Sequence, residues 1–168
     1  DVHAGIEFLK TQKDIDAKHI GLIGHSEGGL IAPMVATTAQ DVAFIVLLAG
    51  PGLPGEEILY AQAALLGRAS GRTEAPIAEA RSLQEKLYGV LKTETDVARM
   101  QEKLRALTGD ASARALTAPW FRFFVTYDPR PTLKKVQCPT LALNGENDLQ
   151  VPFKENLAAI RAALPAAE

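Results

Sequence analysis

The sequence predicts an α/β protein of about three parallel strands with flanking helices, and with a helical segment inserted between two of the strands. Three observations carry that prediction. The stretch Ile20 to Ala36 runs from a short apolar strand through a glycine-dense turn into an apolar helix. A second, almost unbroken apolar run, Asp41 to Ala49, suits a parallel strand buried on both faces. From about residue 55 to 127 the chain changes to alanine, leucine, glutamate, lysine and arginine at helical spacing, with no strand of comparable apolarity.

Taken in order, residues 1–12 read as an amphipathic helix with Val2, Ile6, Phe8 and Leu9 on one broad face. Lys13 to Asp16 is a polar connection into a strand at 19–24, and a helix is expected over about 27–38. Strand, helix and strand with short loops make a βαβ unit. Gly50-Pro51-Gly52-Leu53-Pro54-Gly55 then breaks all regular structure. Three or four helices follow, over Glu56–Ala69, Glu74–Leu91 and Thr95–Leu107, and Trp120, Phe121, Phe123, Phe124 and Tyr127 close the segment. Those aromatics are expected to pack beneath the inserted helices more than to line a pocket. Charged residues there, such as Glu85 and Arg105, read as solvated faces. The Tyr127-Asp128-Pro129 sequence ends the helical region, 140–144 is the third strand, 145–152 its carboxyl-end loop, and Phe153 to about Ala163 a last amphipathic helix with Leu157, Ile160 and Leu164 on one side.

The 168 residues suit one core with an insertion, at 1–54 plus 128–168 and 55–127. Hydrophobic residues make up 47% and charged residues 23%, as in a soluble globular protein, and the compartment stays open. A formal net charge of -2 gives no basic field, which argues against nucleic acid and anionic membrane as partners. A single cysteine, Cys138, excludes an intrachain disulfide and a cysteine-rich zinc site. No metal or cofactor is implied. The chain opens on Asp1 directly into a helical pattern, the expected look of a processed or excerpted segment.

The chemistry concentrates at Gly24-His25-Ser26-Glu27-Gly28. A serine on a sharp strand-to-helix turn lies close to its neighbouring backbone, so the positions two before and two after it are expected to be small. The turn lifts the hydroxyl over the sheet edge and leaves the N–H of Glu27 at a helix N-terminus, suited to a developing oxyanion. The competing reading is a tight βα turn whose serine merely caps the helix. His3 and His19 read as surface or hydrogen-bonded structural histidines, and His25 as a residue lining the site without moving a proton. Ligands in open α/β sheets sit outside the carboxyl ends of the strands, so the loop bearing Asp148 is expected on the same side as Ser26.

Together these pieces resemble the α/β-hydrolase superfamily, in particular its bacterial esterase-like and serine-aminopeptidase-like members with a helical cap. Two motifs carry the likeness: the G-x-S-x-G at 24–28, which looks like the nucleophile elbow, and 141–152, which looks like the late strand whose loop supplies the triad acid. The resemblance implies a partial α/β-hydrolase fold, the second half only, with strands corresponding to the fifth, sixth and seventh of eight. It implies Ser26 as nucleophile, Asp148 as the acid that orients a histidine, one oxyanion N–H from Glu27, and Gly24 and Gly28 as the elbow glycines. Asp148 could instead cap its loop, and Glu146 is the competing acid. The activity implied is hydrolysis of a small-molecule carboxylic ester through an acyl-enzyme. An aminopeptidase or acyl-peptide hydrolase using the same serine, and a non-catalytic binding or assembly domain, are the alternatives.

The sequence also departs from the family pattern. The triad order there is Ser, then Asp or Glu, then His, yet all three histidines here precede Asp148. No catalytic histidine is therefore assigned, and an impaired or inactive chain is expected. The loop supplying the family's other oxyanion donor has no counterpart. The predicted helices would mostly cover one face of the sheet, and both edge strands would be open. Completion by a larger chain, a homo-oligomer or a complementing chain is the expectation that follows.

Overall fold

Three four-residue strands, β1 (Leu22–His25), β2 (Ile45–Leu48) and β3 (Thr140–Leu143), form a parallel sheet in the order β1-β2-β3. Leu22 pairs with Ile45 and Ile45 with Thr140, and the last row joins His25, Leu48 and Leu143. The computed structural model describes residues 1–166, so the final two residues of the expected 128–168 core segment lie outside the described residues. The chain divides into two compact units, one built from Asp1–Leu53 with the chain from Asp128 onward, the other from Pro54–Tyr127.

In the first unit the sheet carries α1 (Val2–Lys10), α2 (Gly28–Ala36), α8 (Arg130–Leu133) and α9 (Phe153–Ala163). Between α1 and β1, residues 17–19 make one turn of 3-10 helix, started by Asp16, whose carboxylate accepts from Lys18 N–H. That turn occupies the first residues of the expected 19–24 strand, so β1 begins only at Leu22 and runs on to His25. Likewise only Ile45–Leu48 of the long apolar run at 41–49 is paired as strand. The short α8 was not expected. Pro129 and Pro131 open it, and proline is tolerated at a helix start because the first N–H groups lack partners anyway.

Alternation along the strands separates the two faces. Ile45 and Leu47 are fully buried and pack with Ile6, Val35, Leu133 and Ile160. Each such side chain stabilises the fold by roughly 1.5–3 kcal/mol. The opposite face carries Ile23, Leu141 and Leu143, which are 71%, 53% and 49% exposed. The sheet is thus dry on one side and open on the other.

The second unit holds five helices, where three or four were expected: α3 (Gly55–Ala69), α4 (Glu74–Thr93), α5 (Val97–Thr108), α6 (Asp110–Leu116) and α7 (Pro119–Thr126). The additional breaks have local causes. Gly109, at φ +83°, ends α5 and starts α6 in a left-handed conformation that favours glycine. Pro119 occupies the first turn of α7. The Asp96 carboxylate accepts from Arg99 N–H and fixes the start of α5 at Val97. Met100 and Leu104 are completely buried, and they pack with Tyr60, Tyr88, Leu91 and Val125. The closing aromatics do pack: Trp120 stacks on Phe124, Phe123 on Tyr127, and Phe121 leans on Tyr88. Among the described residues no helix is long and apolar enough to cross a membrane.

Candidate active site

Ser26 is the first residue after β1, and its N–H extends the ladder by donating to Leu48 O at 2.9 Å. Its carbonyl accepts from Gly29 N–H at 2.8 Å, so the chain enters α2 within three residues. That reversal puts Ser26 at φ +52°, in the left-handed region where a β-carbon is strained. The residue is exposed, and its hydroxyl bonds none of the described residues. The turn is tight for a visible reason: a β-carbon on Gly24 would sit 2.0 Å from Gly28 O. Gly28 itself differs from expectation. Outside its own helix a β-carbon there meets nothing within 4 Å. The second steric demand falls one residue later, at Gly29, whose β-carbon would lie 2.5 Å from Gly50 Cα, where α2 passes the end of β2. Glu27 sits at the N-cap of α2 in helical conformation, and its carbonyl accepts from Leu30 N–H.

Because all three strands are parallel and end in one row, Ser26 and the loop after β3 leave the sheet from the same rim. They are separated by β2, about 10 Å strand to strand. Within that loop Asp148 is half-buried, and its Oδ1 accepts from Gln150 N–H at 2.8 Å and Val151 N–H at 3.0 Å. One carboxylate oxygen therefore performs the loop-capping role. Asn144 clamps the loop from its start by donating to Val151 O at 2.9 Å. Glu146, the competing acid, is exposed at the tip of the turn.

Two features of this rim were not read from the sequence. Ala49, immediately after β2, also adopts a positive φ, +49°; Ser26 and Ala49 are the non-glycine residues so placed among the described residues. Its signal was the Gly50-Pro51 pair that follows. The second is Asn156, which is completely buried. Its Oδ1 accepts from Gly52 N–H at 2.7 Å and Leu53 N–H at 3.3 Å, and its Nδ2 donates to Pro152 O at 2.8 Å. The loop leaving β2 is tied by this one side chain to the first turn of α9. A polar residue four positions before Ile160, on the apolar stripe of α9, was the available signal.

The histidines separate by position. His3 on α1 shares a hydrogen bond with Thr38 Oγ1 at 3.1 Å, and His19 Nδ1 lies 2.8 Å from Asp16 Oδ2, on the chain entering β1. His25 ends β1, exposed, directly before Ser26. Cys138 is half-buried, and burial pushes its thiol pKa up, which suppresses the reactive thiolate. Among the described residues no three His, Cys, Asp or Glu side chains gather as metal ligands.

The family model described as "BAAT / Acyl-CoA thioester hydrolase C terminal" matches residues 3–166. Three solved structures resemble the chain. A 2,6-dihydroxy-pseudo-oxynicotine hydrolase is 18% identical with a TM-score of 0.52, over 98% of this chain and 35% of that one. VinJ is 17% identical with a TM-score of 0.54, over 99% and 60%. An alpha/beta fold family hydrolase from Bacillus anthracis str. Sterne is 21% identical with a TM-score of 0.50, over 100% and 64%. These likenesses speak for the fold, and the chain spans roughly a third to two-thirds of the length of those proteins. No curated protein matches it in sequence. From its third residue to the last one described, the chain belongs to the BAAT / acyl-CoA thioester hydrolase C-terminal family, with the parallel sheet of an α/β-hydrolase C-terminal portion.

Proposed function

We propose that this chain carries the nucleophile and the acid of a serine hydrolase acting on carboxylic esters or thioesters. The observation that supports it most is the left-handed Ser26 between β1 and α2, exposed and with its hydroxyl uncommitted. A helix-capping serine would spend its oxygen on an N–H of the first turn. In the reaction Ser26 Oγ attacks the acyl carbon, its proton passes to a base, and the carbonyl electrons move onto an oxyanion beside the N–H of Glu27 at the α2 N-terminus. Collapse breaks the C–O or C–S bond, the leaving group takes the proton, and water then releases the acyl group from Ser26. Asp148 is the acid that orients the base, through the carboxylate oxygen not engaged by the loop. The thioester substrate class comes from the family description and the ester class from the elbow motif.

The base is the weak member. His3 and His19 are bonded on the amino-end side of the sheet, and no histidine follows Asp148 in these residues. Loss of the base leaves a serine hydrolase several orders of magnitude slower. The rate on p-nitrophenyl butyrate is therefore expected to be low and, after subtraction of the protein-free imidazole rate, to rise with added imidazole, a diffusible substitute base, in the wild type but not in Ser26→Ala. An imidazole response identical in Ser26→Ala would contradict the assignment. The non-catalytic reading, favoured by the same absent histidine, requires no imidazole response above solution chemistry in either.

A further inference from the structure

We propose that the cavity between α3 and α4 in the helical unit binds an organic phosphate monoester, held by three arginines over an apolar floor. The cavity measures about 330 Å³, and it is open because the residues lining it from the two helices are small: Ala63 and Ala64 on α3, Ala78 and Ala80 on α4. Where the helices do meet, a β-carbon on Gly67 would come within 3.1 Å of Ile77. Arg68, Arg72 and Arg81 line the same cavity. Each keeps N–H groups for a ligand. Arg72 is exposed, and its guanidinium bonds none of the described residues. Arg68 gives Nε and one Nη to Glu74, at 2.7 and 2.9 Å, which leaves its other Nη uncommitted. Arg81 spends Nε alone, on Glu85 at 2.8 Å, and its guanidinium carbon lies 3.5 Å from the Tyr60 ring centroid, a stack that fixes the plane. The Arg68 and Arg81 side chains are 51% and 49% exposed, so a ligand arriving from solvent reaches them.

The three guanidiniums meet two carboxylates, Glu74 in the lining and Glu85 outside it, so the cavity stays positive on a chain whose formal net charge is -2. They also come from three separate places: α3, the turn after it, and α4. A carboxylate offers two oxygens in one plane and satisfies one fork. A phosphate monoester offers three terminal oxygens and a charge of about -1.5 to -2 at pH 7, enough to engage more than one arginine at once. Because the arginines stay half in water, the dianion keeps part of its hydration and avoids the desolvation cost of a closed site. The alanines and Ile77 then cover the apolar part of the ester, which free phosphate lacks. The site lies wholly within the helical unit and stands whether or not Ser26 is reactive.

Calorimetric titration of the 168-residue chain with phenyl phosphate, benzoate and inorganic phosphate tests it. Saturable binding of phenyl phosphate is expected, with benzoate and inorganic phosphate each at least about tenfold weaker, the first for want of oxygens and charge, the second for want of an apolar body. Arg72→Met removes a guanidinium that has no partner in the fold. It should weaken phenyl phosphate at least about tenfold and leave the ligand-free melting temperature unchanged. Ala78→Leu fills the floor from an exposed position, and should weaken phenyl phosphate while leaving inorganic phosphate as it was. Arg114→Met, exposed on α6 and outside the cavity, should change neither. Absence of saturable binding, benzoate or inorganic phosphate binding as tightly as the ester, full affinity for the ester in Arg72→Met or Ala78→Leu, a lower melting temperature in Arg72→Met, or an equal loss in Arg114→Met would each overturn the proposal.

Discussion

The two ends of the same small sheet are built differently. On the amino-end side polar groups are spent on one another: His19 on Asp16, His3 on Thr38, and Lys10 on Glu7 and Asp41. Neighbouring carboxylates hold the Lys10 ammonium pKa above its usual value, and the Asp16 carboxyl is held below its own, first by Lys18 N–H and then by His19. At the carboxyl rim the chain instead stores strain. Ser26 and Ala49 both leave their strands at positive φ, and the Ser26 hydroxyl is uncommitted. Backbone strain of this kind costs on the order of 1–3 kcal/mol per residue and persists only where the surroundings over-determine it. The difference sets backbone strain at the rim against paired polar groups at the base.

The sharpest way to break that contrast is to disturb what holds the rim. Gly24→Ala drives a β-carbon into the Gly28 carbonyl, a backbone atom that cannot swing aside. A loss of roughly 3 kcal/mol or more is expected in urea unfolding. Gly28→Ala, which meets no neighbour outside its own helix, should instead fall within about 1 kcal/mol of wild type, on the favourable side if helix propensity dominates. Equal losses at the two glycines would refute the account of the turn.

Next in size is Asn156→Ala. It strands the N–H groups of Gly52 and Leu53 at a completely buried site, and a cost of about 1–3 kcal/mol is expected. Hydrogen exchange at Gly52 should accelerate more than exchange within α9.

Ser26→Gly should act in the opposite direction. Glycine relieves the left-handed strain, so stability should rise by about 1 kcal/mol while reactivity at the position is lost. A destabilised Ser26→Gly would mean that the hydroxyl serves the fold.

At the base the effects should be smallest. Asp16 has its pKa lowered in the folded chain, so its contribution is present above the ordinary carboxylate range and fades as pH falls through the lowered value. Both partners of the Asp16–His19 pair are exposed and screened by solvent, so Asp16→Asn should shift the melting temperature only slightly at pH 7. Even that difference should disappear once the pH has fallen below the lowered Asp16 value, where the carboxyl is protonated in the folded and the unfolded chain alike.

Much of this fold was legible in the sequence because period and punctuation agreed. The apolar run at 41–49 suited a strand and Ile45–Leu48 is one, though buried fully on one face only, the G-x-S-x-G turn joined a strand to a helix, and Phe153–Ala163 matched its hydrophobic spacing end to end. Strand lengths were not legible, because apolar residues such as Val42 stay buried without joining the ladder. The helical unit was undercounted where one glycine, Gly109, and one proline, Pro119, divided what periodicity ran together. At the site, the residue types of the turn announced Ser26, but not the close approach of Gly29 to Gly50, which depends on how α2 crosses β2. Asn156 was invisible for a similar reason: its partners, Gly52 and Leu53, lie about a hundred residues away in the chain.

The central claim is that the strained serine at the head of α2 is a nucleophile. Incubation with a fluorophosphonate in imidazole buffer, followed by peptide mass spectrometry, tests it most directly. The account predicts a single phosphonyl adduct on Ser26, absent from Ser26→Ala and accelerated by imidazole. An adduct on another residue with Ser26 unmodified, or no adduct at saturating probe and imidazole, would contradict it.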